Sequence, residues 1–326
     1  MAATTFYAQA SANRRKSALL LLSAVVLFLG FGFVVGYAWL GDPVAAVGTT
    51  MFAGVVALIS GLTTYYAGDK MVLAASRAHL VTAETHPVLL NVVQEMAIAA
   101  NVPMPAVYVI EDTALNAFAT GRSPEHASIA VTSGLLSQLD REELQGVIGH
   151  EMGHVRNLDI RFALLVGVLV GGVALLADVL LRSMIWGGRG RRRSDDRGGG
   201  GGAQAVLMIL ALILAIIAPI AARLVQLSVS RQREYLADAT SVEFTRNPAG
   251  LEQALWKIGT DREVLEVANR ATQHLYIANP IKKFEERASS LWSTHPPLAD
   301  RINRLRALHG GAPLATDDVR ALSSME

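Results

Sequence analysis

Four stretches of this chain, residues 17–40, 44–68, 162–181 and 203–222, hold a single charged residue between them, Asp178. Each is 20–25 residues long. At a helical rise of about 1.5 Å per residue, that length matches a hydrocarbon core of about 30 Å. The rest of the chain carries 56 of the 57 charges, about 24% of its residues, which is the ordinary soluble proportion. The pattern predicts a soluble domain joined to membrane segments. It excludes a purely soluble enzyme, a disordered chain and a disulfide scaffold. With no cysteine, thiol catalysis and thiolate metal sites are excluded as well. The net charge of +1 points to no nucleic-acid partner.

Residues 17–40 follow Arg14, Arg15 and Lys16, and they are too long and lack the small-residue site of a cleaved signal. Gly41, Asp42 and Pro43 turn the chain into 44–68, so 17–68 is expected to be a transmembrane hairpin. The positive-inside rule puts its outer ends, including the arm 1–16, in the cytoplasm. The second pair, 162–222, is ambiguous. Its linker, 182–202, is rich in Gly and Arg with a net charge of +4, which disfavours an outside position. Its length favours crossing, the reading taken here, and an interfacial placement is the alternative. Either way, zero or two crossings leave 69–161 and 223–326 on one side.

Between these segments the spacing predicts a mainly helical α+β domain with a small sheet. Residues 82–101 have apolar positions at helical spacing and stop before Pro103 and Pro105. Strands are expected at 106–110, 116–120 and 127–132, with a turn at 121–124. A short helix at 133–139 precedes a longer one that Asp140 caps, with Glu143 three residues on completing a capping box. Further helices are expected at 223–244, from Asn247-Pro248, and at 296–308, and the tail 310–326 is expected to be poorly ordered.

The helix that Asp140 opens contains His150-Glu151-Met152-Gly153-His154. Four residues make about one helical turn, so both imidazoles leave one face and can bind a single ion. Glu151 stands where a carboxylate takes a proton from metal-bound water. A catalytic metal of this kind needs a third protein ligand. Glu234 and Asp238 share one face of a later helix. Alone they would read as a solvated face. Beside the first motif, Glu234 completes a two-His, one-Glu site and Asp238 can hold a ligand imidazole through its other nitrogen. Gly146, Gly149 and Gly153 recur along the first helix. Glycine costs about 1 kcal/mol per interior helical position, so a close backbone, expected to be the Glu234 helix, is needed to explain them. The charged flanks 140–143 and 156–159 place the motif in water rather than in the bilayer, and the ion about 12–18 Å from the apolar segments.

Together with the Asn116-Ala117-Phe118-Ala119-Thr120-Gly121 segment and Ser293-Thr294-His295-Pro296-Pro297, these motifs resemble the HtpX membrane proteases, and more distantly the CAAX-prenyl endoproteases. The resemblance spans nearly everything from Ser17 to about Arg306. It implies a zincin-like domain (69–161 and 223–309) in an integral membrane protein with two hydrophobic hairpins. It also implies one zinc per chain on His150, His154 and Glu234, with Glu151 as catalytic base. His295 and Arg301 match a pair expected to polarise the scissile carbonyl, although His295 would equally cap the next helix. The implied activity is cleavage of misfolded or damaged membrane proteins, and of the chain itself, on the cytoplasmic side of the cell membrane. Asn116, Ala117, Phe118, Ala119 and Thr120, or residues 127–132, are candidates for a sheet edge on which an extended substrate pairs; an ordinary core strand is the alternative. His79, His86, His126, His274 and His309 fall in no ligand pattern. A zinc-holding membrane scaffold or chaperone-like protein is the reading of another class, and it has no need of Glu151.

Overall fold

The computed structural model describes residues 42–165, 231–263, 265, 275–277 and 296–323, with scattered positions between 15 and 37. The expectations for His295 and for the second apolar pair beyond residue 165 lie outside the described residues.

Helix α1 (Pro43–Ala75) starts where the Asp42 carboxylate accepts the backbone N–H of Val44 (3.0 Å) and Ala45 (3.3 Å). Pro43 supplies the φ that a first helical residue needs. The helix runs unbroken for 33 residues, past Gly68, where the apolar stretch was expected to end. Among the described residues it is the one helix long and apolar enough to cross a membrane.

One mixed sheet follows. Strand β1 (His79–Leu80) pairs antiparallel with β2 (Ala106–Ile110), and β2 pairs parallel with β4 (Ala127–Thr132). Strand β4 pairs antiparallel with β3 (Ala117–Gly121), giving the spatial order β1-β2-β4-β3. The two-residue β1 is too short to leave an alternation in the sequence. The period-two pattern turns Val107, Val109, Ala117, Ala119, Ile129 and Val131 toward the main core. Ile110, Phe118 and Ala130 face a smaller core with Leu73 of α1 and Tyr276. Both faces are therefore covered.

Helix α2 (Pro87–Ala100) begins five residues later than expected. Pro87 disfavours helical backbone at His86, which sits at φ −139°. After α3 (Ser133–Gln138) comes α4 (Arg141–Arg156), opened by the expected capping box. Glu143 N–H donates to Asp140 Oδ1 (2.9 Å), and Asp140 N–H donates to Glu143 Oε2 (2.8 Å). Helices α5 (Arg231–Thr245), α6 (Pro248–Thr260) and α7 (Leu298–Leu308) complete the layer. The expected disorder of the tail does not hold for its described residues, 310–323. Residues Thr316–Ser323 form α8, because Leu314 and Leu322 bury themselves in the main core beside α6 and α7.

Helix α4 lies at the centre, buried along most of its length by α2, α5, α6 and β3. Its glycines explain how. A Cβ on Gly149 or Gly153 would stand 3.3–3.4 Å from Cα atoms of Ser241 and Ala237 on α5, the expected neighbour. Gly146 differs, because there a Cβ would meet the backbone nitrogen of Leu251 on α6 at 2.6 Å. Ser241 Oγ donates to the Gly146 carbonyl at 2.6 Å, which locks α5 against α4.

Candidate metal centre

One turn of α4 brings His150 Nε2 and His154 Nε2 to 3.2 Å. Glu234 on α5 completes the group: Oε2 is 3.6 Å from His150 Nε2, and Oε1 is 3.5 Å from His154 Nε2. The three side chains place one ligand atom each within 4.8 Å of one another. Two imidazole nitrogens and a carboxylate gathered this closely are the donor types that a first-row divalent metal takes.

The outer nitrogens decide what the inner ones present. His150 Nδ1 lies 2.9 Å from Asp238 Oδ1, and His154 Nδ1 lies 3.1 Å from Asp159 Oδ2. With Nδ1–H donated to each carboxylate, the Nε2 atoms face one another and offer lone pairs to a cation that displaces any proton held there. Two such lone pairs beside a carboxylate form the donor set of a divalent cation, so the residues fit a metal. Asp238 thus lies against the outer nitrogen of the His150 imidazole, on the same helical face as Glu234. Asp159 was missed, although it follows His154 by only five residues. What hid it is the break in the helix at Asn157 and Leu158, which turns the chain back.

Burial opposes charge on His150, but Asp238 and Glu234 outweigh it and push its pKa up to about 9. His154 is likewise raised against its burial, by Asp159. Burial pushes the Glu151 carboxyl above the usual carboxylate range, partly opposed by His150 and His154. The backbone N–H of Ala119 favours the charged form of that carboxylate. Edge strand β3 thus touches the acid beside the ligands.

Arg301 is fully buried behind the ligands. It donates to Asp238 through Nη2 (2.7 Å) and Nε (2.9 Å), and to the Ile277 carbonyl (3.3 Å). Its Nη1 is 3.4 Å from Glu234 Oε2. The guanidinium holds Asp238 below the usual carboxylate range despite the opposing effect of burial.

Of the candidate substrate strands, β4 lies inside the sheet and has no open edge, which corrects the expectation for 127–132. Strand β3 is at the edge, yet its outward groups are partly used. The Ala117 carbonyl accepts Ile277 N–H (2.9 Å), whereas Asn116, just before the strand, bonds inward to Thr132 of β4 (3.1 Å). Phe118 packs edge-on against Tyr276, with ring centroids 5.0 Å apart, and Thr120 is fully buried. His309 bonds Glu252 at 2.7 Å, far from any ligand role.

Amide hydrolysis needs a strong nucleophile near neutral pH and a base to deliver it. A metal-binding pair one turn apart with an acid between them supplies both, which makes the protein a metalloprotease. It belongs to peptidase family M48, whose sequence model matches residues 83–309. The protease HtpX homolog of Streptococcus mutans is 44% identical over 297 residues, covering 91% of this chain and 98% of that protein. The HtpX homolog of Thermoanaerobacter pseudethanolicus is 42% identical over 311 residues, covering 94% of this chain and 99% of that protein.

Proposed function

We propose that the chain is a membrane-bound zinc endopeptidase that cuts unfolded or damaged membrane proteins on the cytoplasmic side, itself included. The observation that carries this reading is the convergence of His150, His154 and Glu234, with both outer imidazole nitrogens held by carboxylates. Two imidazoles and one carboxylate suit zinc, which when bound lowers the pKa of a water to about 7. Helix α1, long and apolar enough to span a bilayer, supports the membrane location. The 17–40 stretch before it supports a hairpin.

In this reading Glu151 takes the proton of the attacking water and returns it to the leaving amine. Its raised pKa favours the protonated state that the second transfer requires. The Ala119 carbonyl, on the outward side of β3, accepts an N–H of an extended substrate, so recognition is by backbone and broad in sequence. His295 donates to the scissile carbonyl. The contacts of Arg301 support a positioning role, because its donors already serve Asp238 and Ile277.

The test is zinc-dependent cleavage of a chemically unfolded protein, and of the chain itself, in mild detergent, comparing wild type with Glu151→Gln. Cleavage by wild type alone, restored by zinc after chelation, is expected. Equal zinc binding with no cleavage by either would leave a binding protein instead.

A further inference from the structure

We propose that Asp159 and Arg233 are positioning residues for the ligand His154, and that Phe162 sets the orientation of Arg233. The proposal rests on the metal-site reading above. The chain leaves α4 at Asn157, passes through Leu158 at φ 60°, and is helical again from Asp159. Leucine seldom adopts that left-handed region. Here the reversal returns Asp159 Oδ2 to within 3.1 Å of His154 Nδ1. The other carboxylate oxygen, Oδ1, lies 3.3 Å from Arg233 Nη1. The Arg233 guanidinium carbon sits 4.2 Å from the ring centroid of Phe162, which is 3% exposed. A desolvated guanidinium over a ring face is drawn to the ring quadrupole and held flat against it. Arg233 also immediately precedes the ligand Glu234. One cation therefore joins the turn after α4, the helix of the third ligand and the first residue of the apolar stretch 162–181.

The device parallels what Asp238 and Arg301 do for His150, but it is looser. The His150 side chain is 0% exposed and its carboxylate is 2.9 Å away, against 16% and 3.1 Å for His154. Arg301 contacts its carboxylate at 2.7 Å, whereas Arg233 does so at 3.3 Å. His154 is thus the ligand whose orientation depends on neighbours that can be altered one at a time.

Zinc affinity of the full chain in detergent, measured by competition with a chromophoric chelator, tests this without turnover. Asp159→Asn is expected to weaken zinc by about 10- to 100-fold, the usual loss when a ligand imidazole loses its carboxylate. Phe162→Leu is expected to weaken it roughly threefold or more, and Phe162→Tyr, which keeps the ring face, to restore the wild-type value. The visible spectrum of the cobalt-substituted protein should shift in Asp159→Asn and Phe162→Leu and stay unchanged in Phe162→Tyr. Wild-type zinc affinity and cobalt spectrum in Asp159→Asn would overturn the positioning role. Equal weakening by Phe162→Leu and Phe162→Tyr would overturn the part given to the ring. Zinc bound by wild type without peptide cleavage would sink the proposed function and leave this inference standing.

Discussion

At the scale of single residues, the chemistry depends on a few buried carboxylates with different partners. Glu151 faces the ligands, and its replacement by Gln should lower kcat/KM by about 10²- to 10⁴-fold while zinc content, measured by atomic absorption, stays at the wild-type level. Asp238 faces away, held between His150 and Arg301. Removing one member of a buried pair leaves the other uncompensated, so Arg301→Met should destabilise the chain by about 3–5 kcal/mol in urea unfolding. Near-normal stability in that variant would mean that the pair contributes little. The folded pKa of Asp238 lies below that of the unfolded chain. Its contribution is therefore complete above about pH 4 and is withdrawn as acid protonates it, which a pH series of the same unfolding curves would show. That His150 and His154 share one helical face, and Glu234 and Asp238 another, was legible in the sequence from helical spacing, and the structure brings the two faces together. The position of Arg301 was not legible. The family resemblance implies a partner for the carbonyl, and only the fold shows that its guanidinium lies against Asp238 and Glu234.

At the scale of elements, local signals were read well and pairings poorly. The capping box of α4 involves residues three apart, so the sequence contains it whole; Asp140→Ala should cost about 1 kcal/mol. The glycines of α4 announce a close neighbour without naming it. Gly146→Ala would drive a methyl into the backbone of Leu251 and should destabilise by about 1–3 kcal/mol. Gly153→Ala meets its nearest atom, Thr240 Cβ, at 3.2 Å and should cost less. The opposite ranking in thermal unfolding would show that α6, rather than α5, can retreat. Which strand forms the edge was not legible either. Strands 116–120 and 127–132 have similar composition, and only the parallel pairing of β2 with β4 decides that β3 lies outside. The proline at 87 was a visible signal for the late start of α2, and its steric effect on His86 outweighs the apolar spacing upstream.

At the scale of the whole molecule, the candidate metal ligands come from α4 and α5, 80 residues apart between His154 and Glu234. An ion bound only in the folded state should raise the midpoint of thermal unfolding by mass action, about 2.7 kcal/mol at a free concentration of 100 times Kd. Chelation should lower the midpoint, and Glu234→Gln should weaken that response. No response in wild type would mean that the ligands do not share one ion. The amino-acid sequence by itself determined the apolar segments, the helix that carries both histidines, the acid between them and the capped start of that helix. Each of these depends on composition or on residues within one or two turns. Tertiary structure alone decided that Asp159 and Arg233 stand behind His154, that Arg301 stands behind Asp238, that Leu322 orders the tail and that β3 is the edge. These are contacts between distant segments, and packing selects them from many partners of equal local propensity.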